Sequence, residues 1–404
     1  MAKALDDLRV LDLSTSYAGA WCTRLLGDFG ADVVMLEPRA GHQLRRLAPF
    51  APDGRSIPAL YVQANKRAVA MDVEDGRARP LLEALLREAD VVVESYAPAR
   101  LAQLGLDHAA LERLRPGVIL CSITPHGQSG ELAGVPGNDL TAFARGGWAS
   151  INGSADREPL NGSAFQASYG AGLAGYAGIV SALVWRDGHP GEGQHVDVAE
   201  VEVAASTFAP ALLRSLYHAE PHPRRVSADI AAGPVPVADG HFALTISRAH
   251  FWRDAMTLLG LHDLAEDQRW EAGWYRQQHR EEYVTRVQER MAGWKKMELF
   301  DELAVRRVVA GPVLTMEELV ANPHLAARGF WAKAADDPDG PTYPGAPFKL
   351  PASPWGLERR APHPGEHTLE VLGALPGVDE PRLRALLDAG VIGLAVAAPQ
   401  EARA

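Results

Sequence analysis

Cysteine is nearly missing: the chain of 404 residues holds two, Cys22 and Cys121. Two thiols supply neither a disulfide framework nor a cysteine-based zinc site, and both stand in apolar runs where buried thiols are expected. Phosphate-cradling glycine patterns are missing too. No GxGxxG follows the first apolar run and no GxxxxGK[ST] occurs, which argues against nicotinamide and flavin. GxSxG and HExxH are also absent. The 14 histidines are scattered without ligand spacing, so no metal is expected. Positive charge is short, with 40 Lys and Arg against 51 Asp and Glu and a net charge of −11. That balance excludes a general nucleic-acid binder, which needs cations to neutralise phosphates, but it leaves room for one local basic pocket. No stretch reaches the roughly 18 apolar residues of a membrane span. The nearest, Gly172 to Trp185, is short and glycine-rich. The opening MAKALDDLRVLDLS has acids where a secretory signal needs an apolar run. A cytoplasmic protein without a membrane partner is expected.

What is present is ordinary globular material, 47% hydrophobic and 23% charged, long enough for two or three domains or one large α/β unit with a satellite. Apolar runs at Leu8–Leu13, Ala31–Glu37, Ala68–Val73, Ala89–Glu94 and Gly117–Ile123 read as buried strands. Helical patterns at Ala18–Phe29 and Arg77–Ala89 lie between them. Continuous Val/Ile/Leu runs separated by helices indicate a parallel sheet covered on both faces, and right-handed crossovers make it a Rossmann-like, doubly wound α/β fold. Residues 125–165, rich in Gly, Pro, Ser and Asn, read as a long functional loop. A helix over Ser168–Trp185 follows, made small on one side by Gly172, Gly175 and Gly178 for close packing. Then come the strand HVDVAE and a long helix to His218. A linker over 219–235 leads to a smaller α+β domain over 236–310 that opens on the hairpin VPVADGHFALTI. Residues 311–404 return to the large domain of 1–218, with a helix near Glu380–Asp388 and a frayed tail.

Several residues could meet a phosphorylated ligand. Tyr17, Ala18 and Gly19 stand where the first strand enters its helix, so backbone N–H groups and the positive helix end face the crevice. Arg39, Lys66 and Arg67 are expected just past strand ends, and Arg100 follows another. Four cations at carboxyl ends of parallel strands could surround phosphates; as plain surface charges they would do nothing of the kind.

The ordered set LRVLDLSTSYAGAWCTRLLGDFGADVVMLEPRAG, NKRAVAMDV, VVVESYAPARLAQLGL, CSITPHGQSGELAGVPGNDL, GYAGIVSALVWRDGHPGEGQHVDVAEVE, AGPVLTMEELVANPHLAARGFW and PGEHTLEVLGAL resembles the class III CoA-transferases, a family that includes the α-methylacyl-CoA racemases. The resemblance implies an intertwined homodimer with a Rossmann-like domain built from both chain ends and a smaller middle domain. It also implies coenzyme A or an acyl-CoA as bound substrate, an organic acid as partner, and no metal, nicotinamide or flavin. The family's CoA contacts map to Tyr17, Ala18, Lys66, Arg67, Met71 and Tyr96. Ser95 and Ala97 stand where an Asn and an Arg are usual, and Arg100 restores a charge one helical turn on. Arg39 lies one place after the usual basic position, which is Pro38.

The catalytic pattern departs further. Transferases resembling this chain attack the thioester with an aspartate just before the glycine-rich helix, giving an acyl–enzyme anhydride and then an enzyme thioester. Here Ala167 and Ser168 occupy that place, and no acid lies between Glu158 and Asp187. Racemases add a histidine before the Asp of the GxD stretch, but this chain has Asn138 and Asp139. Candidate replacements are Ser168 as nucleophile, His126 as its base and Asp139 as an acid. Their ordinary readings are a helix cap, a loop histidine and a loop anchor. Asp156 or Glu158 could also approach by a rearranged loop. The expected function is a CoA-ester enzyme of transferase type with altered chemistry. The alternatives are a racemase-like or isomerase-like enzyme, a non-catalytic CoA-binding subunit of a hetero-oligomer, and a ligand-free scaffold.

Overall fold

The computed structural model describes residues 2–207, 209–219, 224, 230, 233–246 and 248–394. These fall into two compact units, one within 1–152, 160–222 and 329–404 and the other within 153–159 and 223–328.

The larger unit is built on seven strands: β1 (Arg9–Asp12), β2 (Asp32–Glu37), β3 (Lys66–Met71), β4 (Val91–Glu94), β5 (Ile119–Thr124), β6 (Gln194–Ala199) and, after the smaller unit, the short Ile392–Gly393. The spatial order is Ile392–Gly393, β3, β2, β1, β4, β5, β6. All neighbours are parallel except Ile392–Gly393, which runs antiparallel to β3. The continuous apolar runs follow from burial on both faces. Val10, Val33, Val91 and Ile119 pack to one side, while Leu11, Val34, Val92 and Leu120 pack to the other. That period of two puts alternate residues of one strand into different cores.

Helix α1 (Tyr17–Asp28) starts at Ser16, whose hydroxyl accepts from the Gly19 N–H at 3.0 Å. Gly19 has no freedom to be larger, because a Cβ there would stand 2.3 Å from Ser14 Cβ. The crossover to β3 runs through α2 (Ile57–Val62), the one to β4 through α3 (Arg79–Glu88), and the one to β5 through α4 (Pro98–Gln103) and α5 (His108–Leu114). The stretch expected as a loop holds two short helices, α6 (Asp139–Arg145) and α7 (Trp148–Ile151). An Asn138–Thr141 capping box starts α6, an instance of polar residues satisfying helix ends that composition alone reads as loop.

Helix α8 (Gln166–Gly188) runs 23 residues, longer than expected. It is long and apolar enough to cross a membrane by length and composition. Its small face is packed inside the unit, however: a Cβ on Gly172 would lie 2.5 Å from the Ala18 carbonyl, and one on Gly175 would lie 2.6 Å from Ile123 Cδ1. The close packing expected of these glycines is therefore met against α1 and β5. Beyond β6, the single helix expected to reach His218 is two, α9 (Glu200–Ser206) and α10 (Ala209–His218). Cys22 and Cys121 are buried free thiols, as expected.

The smaller unit carries the expected hairpin, β7 (Val235–Val237) and β8 (Gly240–Thr245), extended by β9 (Val309–Pro312) antiparallel to β8. This pairing carries the chain past 310 within the smaller unit, which holds residues up to 328. Phe242, Trp252, Trp270 and Tyr283 centre its core. The expected frayed tail beyond Leu394, and most of the 219–235 linker, lie outside the described residues.

Candidate functional site

In a parallel sheet the site forms outside the carboxyl ends of the strands, where the order reverses. Here that point lies between β1 and β4. The two chain segments leaving it are tied together, since the Thr15 N–H donates to Ser95 Oγ at 2.8 Å. Tyr96 follows, half-buried, its N–H donating to Glu94 Oε2 and its carbonyl accepting from Gln128 Nε2 at 3.0 Å. Glu94 is itself buried, with Oε1 unpartnered. Burial pushes its carboxyl up to about 7, against hydrogen bonds from Ser122 and the Tyr96 N–H that pull it down.

The second feature is the first turn of α8. Ala164 and Phe165 precede it, both left-handed at φ 48° and 63°, a backbone that residues with a Cβ adopt at a cost. Phe165 stacks on Tyr17, centroids 4.2 Å apart, and the Tyr17 and Tyr169 hydroxyls meet at 2.8 Å. This aromatic packing holds the irregular entry and so fixes where Ser168 stands. Ser168 is 3% exposed. It does not cap α8, whose N-cap is Phe165. Its N–H donates to Asp139 Oδ1 at 2.9 Å, and its side chain lies beside Glu200.

Glu200 opens α9 at the carboxyl end of β6 and is 3% exposed. Its Oε2 is buried without a partner. Burial, then the neighbouring Asp139 charge, pushes its carboxyl up to about 7, and the Ser168 bond opposes them. Thus a carboxyl group from α6 takes the Ser168 N–H and one from α9 neighbours its side chain, at a helix amino end where the backbone favours negative charge. Beside them, Ala167, Gly170, Phe143, Trp148 and Val203 line a cavity of about 360 Å³.

Of the predicted catalytic residues, Ser168 and Asp139 come together. His126 is half-buried with Nδ1 unpartnered, and no hydrogen bond among the described residues joins it to Ser168. Asp156 is exposed and hydrogen-bonded to Ser154, and Glu158 is exposed. Sequence reading missed Glu200 and Glu94. The available signal was an acid placed directly after a strand's buried end, in HVDVAE and VVVE.

Two of the four predicted cations do not stand at the carboxyl end. Lys66 and Arg67 begin β3 instead of following it. Lys66 is 0% exposed, its ammonium donating to Asp12 Oδ2 and to the Ala20 carbonyl, each at 2.9 Å. A buried charge requires such a partner, so this lysine serves the core. Arg67 forks onto Asp32 and also donates to Glu370 at 3.0 Å. Arg39 follows β2 and is exposed, with one nitrogen on the Gly390 carbonyl. Arg100 lies on α4, half-exposed and paired with Glu74. Met71 ends β3, buried opposite Ile392, and Ala18 is buried beneath Gly172. Tyr17 is buried in its aromatic cluster, and burial pushes its hydroxyl far up. No cluster of metal-ligating side chains occurs among the described residues.

Comparison with known proteins bears on this arrangement. The profile of CoA-transferase family III matches residues 5–368. Succinate–glutarate CoA-transferase of Agrobacterium fabrum is 32% identical over 93% of this chain and 96% of its own length. The BbsE subunit of succinyl-CoA:(R)-benzylsuccinate CoA-transferase from Thauera aromatica is 34% identical over 92% of this chain and 94% of its own. The crystal structure of a CAIB/BAIF family protein from Brucella suis superposes with a TM-score of 0.82 at 30% identity, covering 92% of this chain and 99% of that one.

Proposed function

This chain belongs to CoA-transferase family III, and on that premise we propose that it moves coenzyme A from an acyl-CoA to a free carboxylic acid, with catalytic groups rearranged around Ser168. The observation that carries the reading is the Ser168–Glu200–Asp139 group. Although Ala167 and Ser168 stand where the family's aspartate is expected, carboxyl groups still meet the serine. Relatives are named for succinate, glutarate and benzylsuccinate, so small dicarboxylates are the substrate class we assign. The cavity of about 360 Å³ beside Ala167 falls in the range of small-molecule sites and would receive the acyl group. Arg39, Arg100 and Tyr96, at the carboxyl ends of β2 and β4, would hold the CoA phosphates and adenosine. Tyr17, Ala18 and Met71 would shape the floor from beneath. Lys66 and Arg67 are committed to Asp12, Asp32 and Glu370 and are left out of the contact set. No metal, nicotinamide or flavin enters this reading, and the working form would be a homodimer.

Calorimetric titration with CoA and succinyl-CoA, paired with transfer to succinate, glutarate or oxalate, tests it. Binding heat together with turnover is expected. No heat at millimolar CoA would refute it. The resemblance to a named subunit favours a second reading, a CoA-binding chain that works beside a catalytic paralogue. Binding without transfer by the isolated chain would select that second reading.

A further inference from the structure

We propose that Glu200 is the group that accepts the acyl unit in this chain, a carboxylate brought from the β6–α9 junction to the place where position 168 no longer supplies one. The inference rests on the transfer reading above and deepens it.

The chemistry decides between hydroxyl and carboxyl. If Ser168 Oγ attacked a thioester carbonyl, the C–S bond would break and an acyl ester would form on the serine. CoA would then leave as thiolate. The enzyme would hold an acyl group but offer no carbonyl of its own for the sulfur to attack. Coenzyme A could not be stored on the protein and handed to a second acid. A carboxylate provides that carbonyl. Glu200 Oε attacks the acyl carbon, the C–S bond breaks, and a mixed anhydride forms with release of CoA thiolate. The thiolate then attacks Glu200 Cδ, expelling the first carboxylate and leaving a glutamyl–CoA thioester. The acceptor carboxylate attacks that Cδ, CoA thiolate leaves, and a second anhydride forms. The thiolate finally attacks the acceptor's own acyl carbon, which restores Glu200 and delivers the new acyl-CoA. Each step exchanges one nucleophile for one leaving group, so no oxidant or net proton is required.

Two carboxyl groups are available, and geometry separates them. Asp139 is half-buried, and its Oδ1 accepts the Ser168 N–H at 2.9 Å, which makes it an anchor of the α8 turn. Glu200 is 3% exposed, and its Oε2 is buried with no partner. An unpaired buried carboxyl oxygen is costly, and such orphans in a folded chain call for an explanation. A serine at 168 is shorter than an aspartate and leaves space for the glutamate's longer reach. The Ser168 side chain beside Glu200 is then a positioning residue. The raised titration of Glu200 is consistent with this, since the attacking carboxylate form fills above about pH 7.

The test is adduct mapping by peptide mass spectrometry after incubation with succinyl-, formyl- or acetyl-CoA, with hydroxylamine or borohydride trapping and with CoA calorimetry in parallel. A trapped adduct on Glu200 is expected. Glu200→Gln, nearly isosteric, should bind CoA with unchanged heat, lose the adduct and reduce turnover roughly 10⁴-fold. Ser168→Ala should still label Glu200, more slowly. An adduct on Ser168 or Asp139, persistence of the adduct in Glu200→Gln, or CoA heat without any adduct overturns the assignment while leaving CoA binding intact. Absence of CoA heat overturns the transfer reading and this inference with it.

Discussion

Replacing Lys66 by methionine separates a core role from a ligand role. Asp12, at the end of β1, accepts from Lys66 Nζ at 2.9 Å, Ser14 N–H at 3.0 Å, Ser14 Oγ at 2.6 Å and Thr23 Oγ1 at 2.6 Å. Burial alone would raise the Asp12 carboxyl. The Lys66 charge and the Ser14 and Thr23 hydrogen bonds outweigh it and hold the group below the usual carboxylate range. Lys66→Met removes the only cation that bonds this carboxylate among the described residues and leaves a charge buried among neutral donors. Breaking a buried pair from one side costs about 3–5 kcal/mol. For a unit of this size that is a fall in Tm of roughly 5–8 °C, measured by calorimetric or circular-dichroism melting. The double variant Asp12→Asn with Lys66→Met should recover most of the loss, because neither charge then remains. The sign with pH follows. A carboxyl depressed in the folded state stabilises above its unfolded pKa of about 3.9 and loses that contribution as pH falls through the folded value. The difference between wild type and Lys66→Met should therefore shrink in acid. A Lys66→Met protein that melts with wild type but binds CoA weakly would refute the reasoning, by showing that the ammonium faces a ligand.

Other outcomes follow from the same coordinates. Gly172→Ala places a methyl 2.5 Å from the Ala18 carbonyl and 2.9 Å from Trp21 Cδ1, and should cost about 1–3 kcal/mol in thermal or denaturant unfolding. Glu200, raised to about 7 by burial, then by Asp139 and against the Ser168 bond, takes up a proton on folding between its unfolded value and pH 7. Its contribution to stability is thus present in mild acid and declines as pH rises toward 7. Glu200→Gln should flatten that decline, worth on the order of 3 kcal/mol by pH 8 in a melting series. A series that keeps the wild-type slope would count against it. Arg100→Ala should weaken CoA binding several-fold, most at low salt, whereas Arg67→Ala should leave it unchanged. Titration calorimetry of both variants checks the contrast, and the reverse ranking would move the ligand to the amino end of the sheet.

Much of the larger unit could be read from the chain. Runs such as VVMLE and ADVVVE are apolar at consecutive positions because a parallel sheet is buried on both faces, and β2 and β4 lie where those runs lie. The glycines of α8 signalled close packing, and a Cβ on Gly172 has no room. Residues 125–165 read as loop because α6 and α7 are short, and α6 rests on its capping box more than on an apolar period. The candidate site was half legible. Ser168 and Asp139 were singled out and do meet through the Ser168 N–H, and the letters show no acid at 167 or 168. Glu200 was not, since in HVDVAEVEV it is one of several acids beside a strand.

Residue order alone determined the alternation of strands and helices, the absence of an acid at positions 167 and 168, and the shortage of thiols. These are local properties, set by periodicity and side-chain chemistry along a few residues. Tertiary structure decided where charge goes. It buried Lys66 on Asp12, turned Arg67 to Asp32 and Glu370, and brought Glu200 against a serine 32 positions earlier. An ionisable group takes its role from whatever surrounds it in a low-dielectric interior, and those surroundings come from distant parts of the chain.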